Sequence, residues 1–293
     1  MTSRHLPTPP KLGAHGADTV ESEGPPMTAV TTEVRDRIGW LVLDRPDKLN
    51  AFNRQLLAAY SAAVDALNAD PDVSVIVIRG AGRSFSVGYD VAGRSTDGRT
   101  RTLDDWLDLR ERVDLWLKVW RCPKPVIAAV HGYCMGGATT LAVCCDLTVV
   151  AEDAVIGWPS VPLGAGLIGP VNAWLMGPKK AKEMSYVVGS RMSGREAAEW
   201  GWANRAVPAD ELLDSVDRLA QVIARTPTEL LHVKKRAINR VMDMQGFSEM
   251  VMFGAEFDAI AHDSAAVDTI RAEIRERGLK ATVARFLAED PAR

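Results

Sequence analysis

Lys124 to Asp153 reads KPVIAAVHGYCMGGATTLAVCCDLTVVAED. Pro125 to Val130 is wholly apolar, the pattern of a strand buried on both faces. Gly132, Gly136 and Gly137 then break the run, so the chain turns sharply before a second apolar stretch. That stretch predicts a helix from about Gly137, followed by another buried strand in CDLTVVAED. The Gly-Gly turn leaves main-chain N–H groups at a helix start, where they can grip an oxygen. The helix beside them brings Thr139 and Thr140 and no acid or base.

Working outward, the same alternation continues. IGWLVLDRP predicts a strand over 38–44, stopped by Pro46. NRQLLAAYSAAVDALNAD places Leu56, Leu57, Tyr60, Val64 and Leu67 at helical intervals, with Asn53 as its cap. VSVIVIRGAG is a buried strand ending in glycines, and LDDWLDLRERVDLWLKVWRC an amphipathic helix. VIG is a short strand before the Gly/Pro-rich VPLGAGLIGP. KKAKEMSYVVG and GREAAEWG predict short helices, and ANRAVPAD a strand. From Asp210 to Arg293 the pattern is helical throughout. Strand and helix in alternation give an α/β core, and no repeat of fixed period is present. The boundaries are residues 1–27 as a disordered leader, 28–226 as the core and 227–293 as a helical oligomerisation or lid region. The leader is rich in Pro, Gly and charge without an apolar period, and Met27 stands as an alternative start.

Composition narrows the class. Hydrophobic residues make up 47% and charged residues 25%, with a net charge of -3. That balance gives no basic field for nucleic acid or an anionic membrane, and no apolar run is long enough to span one. The chain reads as soluble and cytoplasmic. Cys122, Cys134, Cys144 and Cys145 match no metal-knuckle spacing, so they read as reduced, buried small hydrophobes, and no metal site is expected. Lys234, Lys235 and Arg236 read as a solvated basic run.

A second turn, RSFSVGYD (Arg83 to Asp90), also follows a buried strand and carries a glycine. Two such turns side by side can aim two backbone N–H groups at one point, holding a carbonyl oxygen that becomes negative during reaction. Either turn alone is a weak signal. Together with DRPDKLNAF, GAGRSFSVGYD, the stretch quoted first and SGREAAEWGWANRAVPADEL, in this order, they resemble the landmark segments of the enoyl-CoA hydratase/isomerase, or crotonase, superfamily. The resemblance covers about residues 34–260.

It implies a spiral of ββα units with an all-helical C-terminal region, assembling as a homotrimer or homohexamer. It implies an acyl-coenzyme A thioester as substrate, with no permanently bound cofactor. The oxyanion hole would be the backbone N–H groups of Tyr89 and Gly137. Lys48, Ala51, Arg83, Ser86, Gly88 and Asp90 are carried over as residues of the coenzyme A-binding segments, Arg83 as a phosphate partner. Tyr89 stands where small residues are common and is expected to narrow the acyl pocket.

The chain departs from the family where hydratases carry two glutamates. Thr140 holds one position and Ser160, in GWPS, the other. Hydroxyls are too weakly acidic and basic to replace such groups unaided. Three readings stay open. The first is an acyl-CoA enzyme stabilising a thioester enolate for chemistry other than simple hydration, as a lyase or isomerase. The second is a specialised hydratase using Ser160, Thr140 or a tail residue, and the third a non-catalytic acyl-CoA binder. Asp90, Asp146 and His131 are expected to serve structure, and Tyr133 and Trp158 to wall the pocket. Glu249, Glu256, Asp258 and His262 of the tail are expected at the surface or a subunit interface.

Overall fold

The computed structural model describes residues 29–90, 101–158, 161–164, 166 and 169–288. Strand β1 (Val30–Arg35) pairs antiparallel with β2 (Ile38–Leu43) across a tight turn at Asp36 and Arg37, both at positive φ. The sequence reading starts order at Ile38 and misses β1. VTTEVR exposes every residue but its first, so this edge strand has no buried alternation to reveal it.

Helix α1 (Arg54–Ala69) begins at Asn53, whose side chain accepts the Leu56 N–H at 2.8 Å. It buries the five apolar residues that its spacing predicts. The order continues with β3 (Val75–Gly80), α2 (Thr102–Arg121), β4 (Val126–Val130), β5 (Tyr133–Met135), α3 (Gly137–Cys144), β6 (Leu147–Ala151) and β7 (Val155–Gly157). Then come α4 (Gly169–Tyr186), β8 (Arg191–Ser193), α5 (Gly194–Glu199), β9 (Arg205–Val207) and α6 (Leu212–Ala224). The tail is α7 (Thr228–Met244), α8 (Phe247–His262), α9 (Ala265–Arg277) and α10 (Leu279–Ala288).

Six strands form one sheet in the order β1-β2-β3-β4-β6-β9, parallel from β2 onward. A smaller sheet, β5-β7-β8, sits beside it. This is the α/β core with an all-helical end that the sequence pattern predicts. The central strands are apolar because both their faces are covered: Ile76, Ile78 and Ile127 are fully buried. Each such side chain contributes about 1.5–3 kcal/mol of transfer energy. Helix α6 packs against β2, β3, β4 and β6, and α8 lies along α2. No helix among the described residues is long and apolar enough to cross a membrane.

Three differences from the sequence reading have identifiable causes, the first two local and the third tertiary. β5 and β8 are only three residues long, too short for a periodic signal. Helix α4 starts at Gly169 and not at Lys179, with a break at Gly177 (φ 77°, ψ 158°) where Pro178 restarts it without needing a donor. Lys235 is not solvated. Its ammonium is buried and donates to Val119 O at 2.8 Å, Lys124 O at 3.1 Å and the Asp146 carboxylate at 2.7 Å.

Candidate active site

Three segments separated in sequence run side by side. Phe52 N–H donates to Gly88 O at 2.8 Å and Asp90 N–H to Phe52 O at 3.0 Å, laying DKLNAF against SVGYD. On the other flank, Ser86 N–H donates to Tyr133 O and Met135 N–H to Ser86 O, both at 3.0 Å. Asn50 pins this arrangement. It is fully buried at φ 56°, a conformation that asparagine tolerates better than most residues, accepts from Arg45 N–H at 2.9 Å and donates to Ala81 O and Ser84 O. The Arg45 guanidinium donates to Ala51 O at 2.6 Å and pairs with Asp90 at 3.3 Å.

The two glycine turns touch. Gly88 is at φ 84°, and a Cβ there would lie 2.5 Å from Met135 O and 3.1 Å from Gly137 N. A Cβ on Gly137 would lie 2.6 Å from the Tyr89 ring. Only glycine permits either approach. Gly137 opens α3 with no side-chain cap before it, and of the first-turn donors Thr139 N–H already meets Gly136 O at 2.9 Å. Beside it, Gly136 N–H donates to Gly157 O at 3.0 Å, tying the turn to the end of β7.

The Tyr89 side chain runs from this junction to α2. Its hydroxyl accepts from Trp116 Nε1 at 3.0 Å, its ring meets Phe52 edge-on at 5.9 Å, and the Arg112 guanidinium lies 5.1 Å from its centroid. The ring thus fills space between Gly137 and α2.

Other residues singled out from the sequence fall into distinct places. Thr140 is buried on α3, while the neighbouring Thr139 hydroxyl donates back to Gly136 O at 2.7 Å. Ser160 lies outside the described residues. The buried Ser86 hydroxyl is engaged within the turn, donating to Asn50 O at 2.8 Å and accepting Gly88 N–H at 3.1 Å. Ala51 is buried, and Lys48 and Arg83 are exposed. Asp146 accepts Val126 N–H at 2.7 Å besides pairing with Lys235; burial pushes its carboxyl above the usual range, and Lys235 opposes that. His131 Nε2 lies 3.0 Å from Gly82 O, a turn contact as expected. Trp158 is buried, and Tyr133 is 41% exposed, outside the core. All four cysteines are buried and unpaired, and desolvation pushes their thiols up, Cys144 to about 12. Among the described residues no group of three His, Cys, Asp or Glu side chains could hold a metal ion.

A cluster on α2 and α8 escaped the sequence reading, which expected the tail residues at the surface or a subunit interface. His262 Nδ1–H donates to Asp105 Oδ2 at 2.6 Å, with the side chains only 11% and 15% exposed. Asp258 is buried and accepts Gly166 N–H at 2.9 Å. The i, i+4 spacing of Asp258 and His262 was the available signal, since it puts both on one helix face. Asp105, remote in sequence, had none.

Against known proteins, residues 33–265 match the family model described as enoyl-CoA hydratase/isomerase. A crystal structure of a protein assigned as an enoyl-CoA hydratase/isomerase in Novosphingobium aromaticivorans is 44% identical, with TM-score 0.83 over 88% of this chain and 94% of that one. An enoyl-CoA hydratase/isomerase from Xanthobacter autotrophicus is 35% identical, with TM-score 0.82 over 90% and 99%. The crotonyl-CoA hydratase of Syntrophomonas wolfei is 34% identical, covering 73% of this chain and 82% of its own length. On these matches and the fold they share, this chain belongs to the enoyl-CoA hydratase/isomerase family.

Proposed function

We propose that this protein is an acyl-CoA enzyme that holds a thioester carbonyl with the backbone N–H groups of Tyr89 and Gly137 and stabilises the enolate formed from it. The observation that carries this is the contact of the two turns, with Gly88 packed against Gly137 N and the Tyr89 ring against the Gly137 Cα. Donors carried on two turns already in contact need no rearrangement when the substrate arrives, which is what makes such a site effective: one donor of this kind is worth about 2.7–4 kcal/mol of transition-state stabilisation. Lys48, Ala51 and Arg83 lie on the strips beside the turns and suit the coenzyme A moiety.

Hydration by two carboxylates is not the reaction. Thr140 occupies one of the positions and Ser160 the other, and neither is a general base at neutral pH. The chemistry that remains is proton transfer, bond cleavage or isomerisation through the enolate. A panel of CoA thioesters incubated with the enzyme and analysed by mass spectrometry tests this. Conversion of at least one without net addition of water supports the reading. Binding of several with conversion of none makes the protein a carrier, and efficient hydration of a short enoyl thioester by a T140A/S160A variant overturns it.

The reading includes self-association in the cytoplasm as a homotrimer or homohexamer. Leu230, Val233, Ile238 and Val241 on α7 and Phe257 and Ile260 on α8 are exposed apolar side chains, a face that favours covering by another copy. Light scattering coupled to gel filtration reads the stoichiometry, and a monomer at micromolar concentration refutes it.

A further inference from the structure

The hairpin between β1 and β2 turns through Asp36 at φ 50° and Arg37 at φ 65°. A two-residue turn of this hand favours Asn-Gly or Asp-Gly at its centre. Asp36 fits the first place, but an arginine stands where glycine is preferred. Arginine there adopts a left-handed backbone that costs it more than it would cost glycine. The guanidinium it carries is held in a set direction. The Arg37 carbonyl accepts Ser74 N–H at 2.8 Å, which bolts the turn to the approach to β3. Its Nη2 donates to Thr228 Oγ1 at 3.2 Å, and that hydroxyl lies 2.8 Å from the Oγ of buried Ser74. One of the five N–H donors of the guanidinium is spent on this anchor. The others have no partner among the described residues.

Arg37 lines a cleft of about 430 Å³ with Asp36, Gln221, Ala224 and Arg225, between the turn and the end of α6. Ala224 is the one apolar residue of this lining, so the cleft suits a polar ligand and not an acyl chain. Among the described residues, no ion pair joins Arg37 or Arg225 to a carboxylate, Asp36 included. The nearby Asp217 is already engaged, by Arg35 at 3.6 Å and by Gln221 Nε2 at 2.6 Å. Two guanidiniums that line one cleft without a carboxylate between them gain from an anion that bridges them. The cleft lies away from the proposed acyl site. Arg37 precedes β2, whereas the other end of β2 leads to Arg45 and the strip that holds the glycine turns. The six residues of that strand, at about 3.3 Å each, set the two places roughly 20 Å apart.

We propose that this cleft is a second ligand site, which binds the phosphate group of a hydroxyl-bearing phosphate ester. Arg37 and Arg225 hold the phosphate oxygens from two sides. Asp36, the one carboxylate of the lining, repels a bare phosphate dianion but accepts a hydrogen bond from a hydroxyl of the ester. It therefore selects the ester over free phosphate. The site stands independently of the acyl-CoA reading.

The test is calorimetric titration of the full chain at low salt with inorganic phosphate and with ribose 5-phosphate. Both bind, in competition for one site, and ribose 5-phosphate binds more tightly. Arg225→Gln weakens both by roughly fivefold, the upper end for an exposed ion pair. Arg37→Gly suits the left-handed turn, so the variant keeps its melting temperature while phosphate binding falls by at least as much. Should that variant lose stability, Arg225→Gln decides alone. Asp36→Asn holds inorganic phosphate as tightly as the wild type or more so, and loses the preference for the ester. Failure of both probes to bind the wild type overturns the proposal, as does binding that is unchanged in the arginine variants. A preference for ribose 5-phosphate that survives Asp36→Asn overturns the selection assigned to Asp36.

Discussion

Gly137→Ala tests the junction on which the proposed site depends. The added Cβ would lie 2.6 Å from Tyr89 Cε2, 3.0 Å from Cδ2 and 3.1 Å from Cζ. Carbon atoms settle at about 3.5–4.0 Å, so the ring must withdraw by about 1 Å. It has little room: Trp116 Nε1 holds its hydroxyl, and Phe52 and Arg112 stand against its faces and edge. Overpacking of this kind costs about 1–3 kcal/mol, a fall in melting temperature of roughly 2–10 °C for a chain of this size. Tyr89→Ala removes the obstacle and keeps the backbone N–H. In that background Gly137→Ala costs little, giving a coupling energy of about 1–2 kcal/mol, within the range for residues in direct contact. Scanning calorimetry of the wild type, both single variants and the double variant closes the cycle. Acetoacetyl-CoA, whose bound enolate has its own ultraviolet band, adds a functional readout: the band weakens in G137A and recovers in the double variant. If G137A costs the same in both backgrounds, the ring does not rest on Gly137 and the argument for two preset donors fails.

Lys235→Met strands a buried Asp146 carboxylate and the carbonyls of Val119 and Lys124, a loss of about 3–5 kcal/mol at neutral pH in guanidinium unfolding. Burial already raises the Asp146 pKa and Lys235 opposes it, so the variant's carboxyl rises further; the folded state then binds the extra proton, and the deficit shrinks as pH falls towards that raised value. A deficit that grows on acidification would falsify the assigned pairing. For the thiols, Cys144 at about 12 and the other three also raised predict no reaction with Ellman's reagent until denaturant is added, when all four respond. A native fast-reacting thiol contradicts this. Finally, T140E/S160E gives back the carboxylates and should raise hydration of crotonyl-CoA, followed by loss of the enoyl absorbance, by about 10²-fold or more. A variant that binds the thioester without any gain shows that the acid–base positions alone do not limit hydration.

How far the site was legible in the sequence depends on how local its causes are. Strand β4, the turn at Gly136 and Gly137 and helix α3 were readable because burial on both faces, glycine and helical spacing all act within a few residues. The cap at Asn53 was readable for the same reason. The proximity of Gly88 to Gly137 was inferred only from motif order, since nothing local to either turn says that Ser86 will lie beside Tyr133 and Met135. Lys235 illustrates the limit most sharply. In KKR it has the composition of a solvated run, yet α7 directs it inward onto a carboxylate and two carbonyls, while its neighbours Lys234 and Arg236 remain exposed. Burial of that charge is tolerated only because three acceptors from α2, the loop before β4 and the start of β6 converge there. The pairing of Asp105 with His262 follows the same logic: α2 against α8 is a tertiary event, so a residue's chemistry was legible from its type and its partner was not. This divides the molecule in a useful way. The two glycine turns are written locally, whereas the polar cluster of Asp105, Asp258 and His262 is assembled by packing.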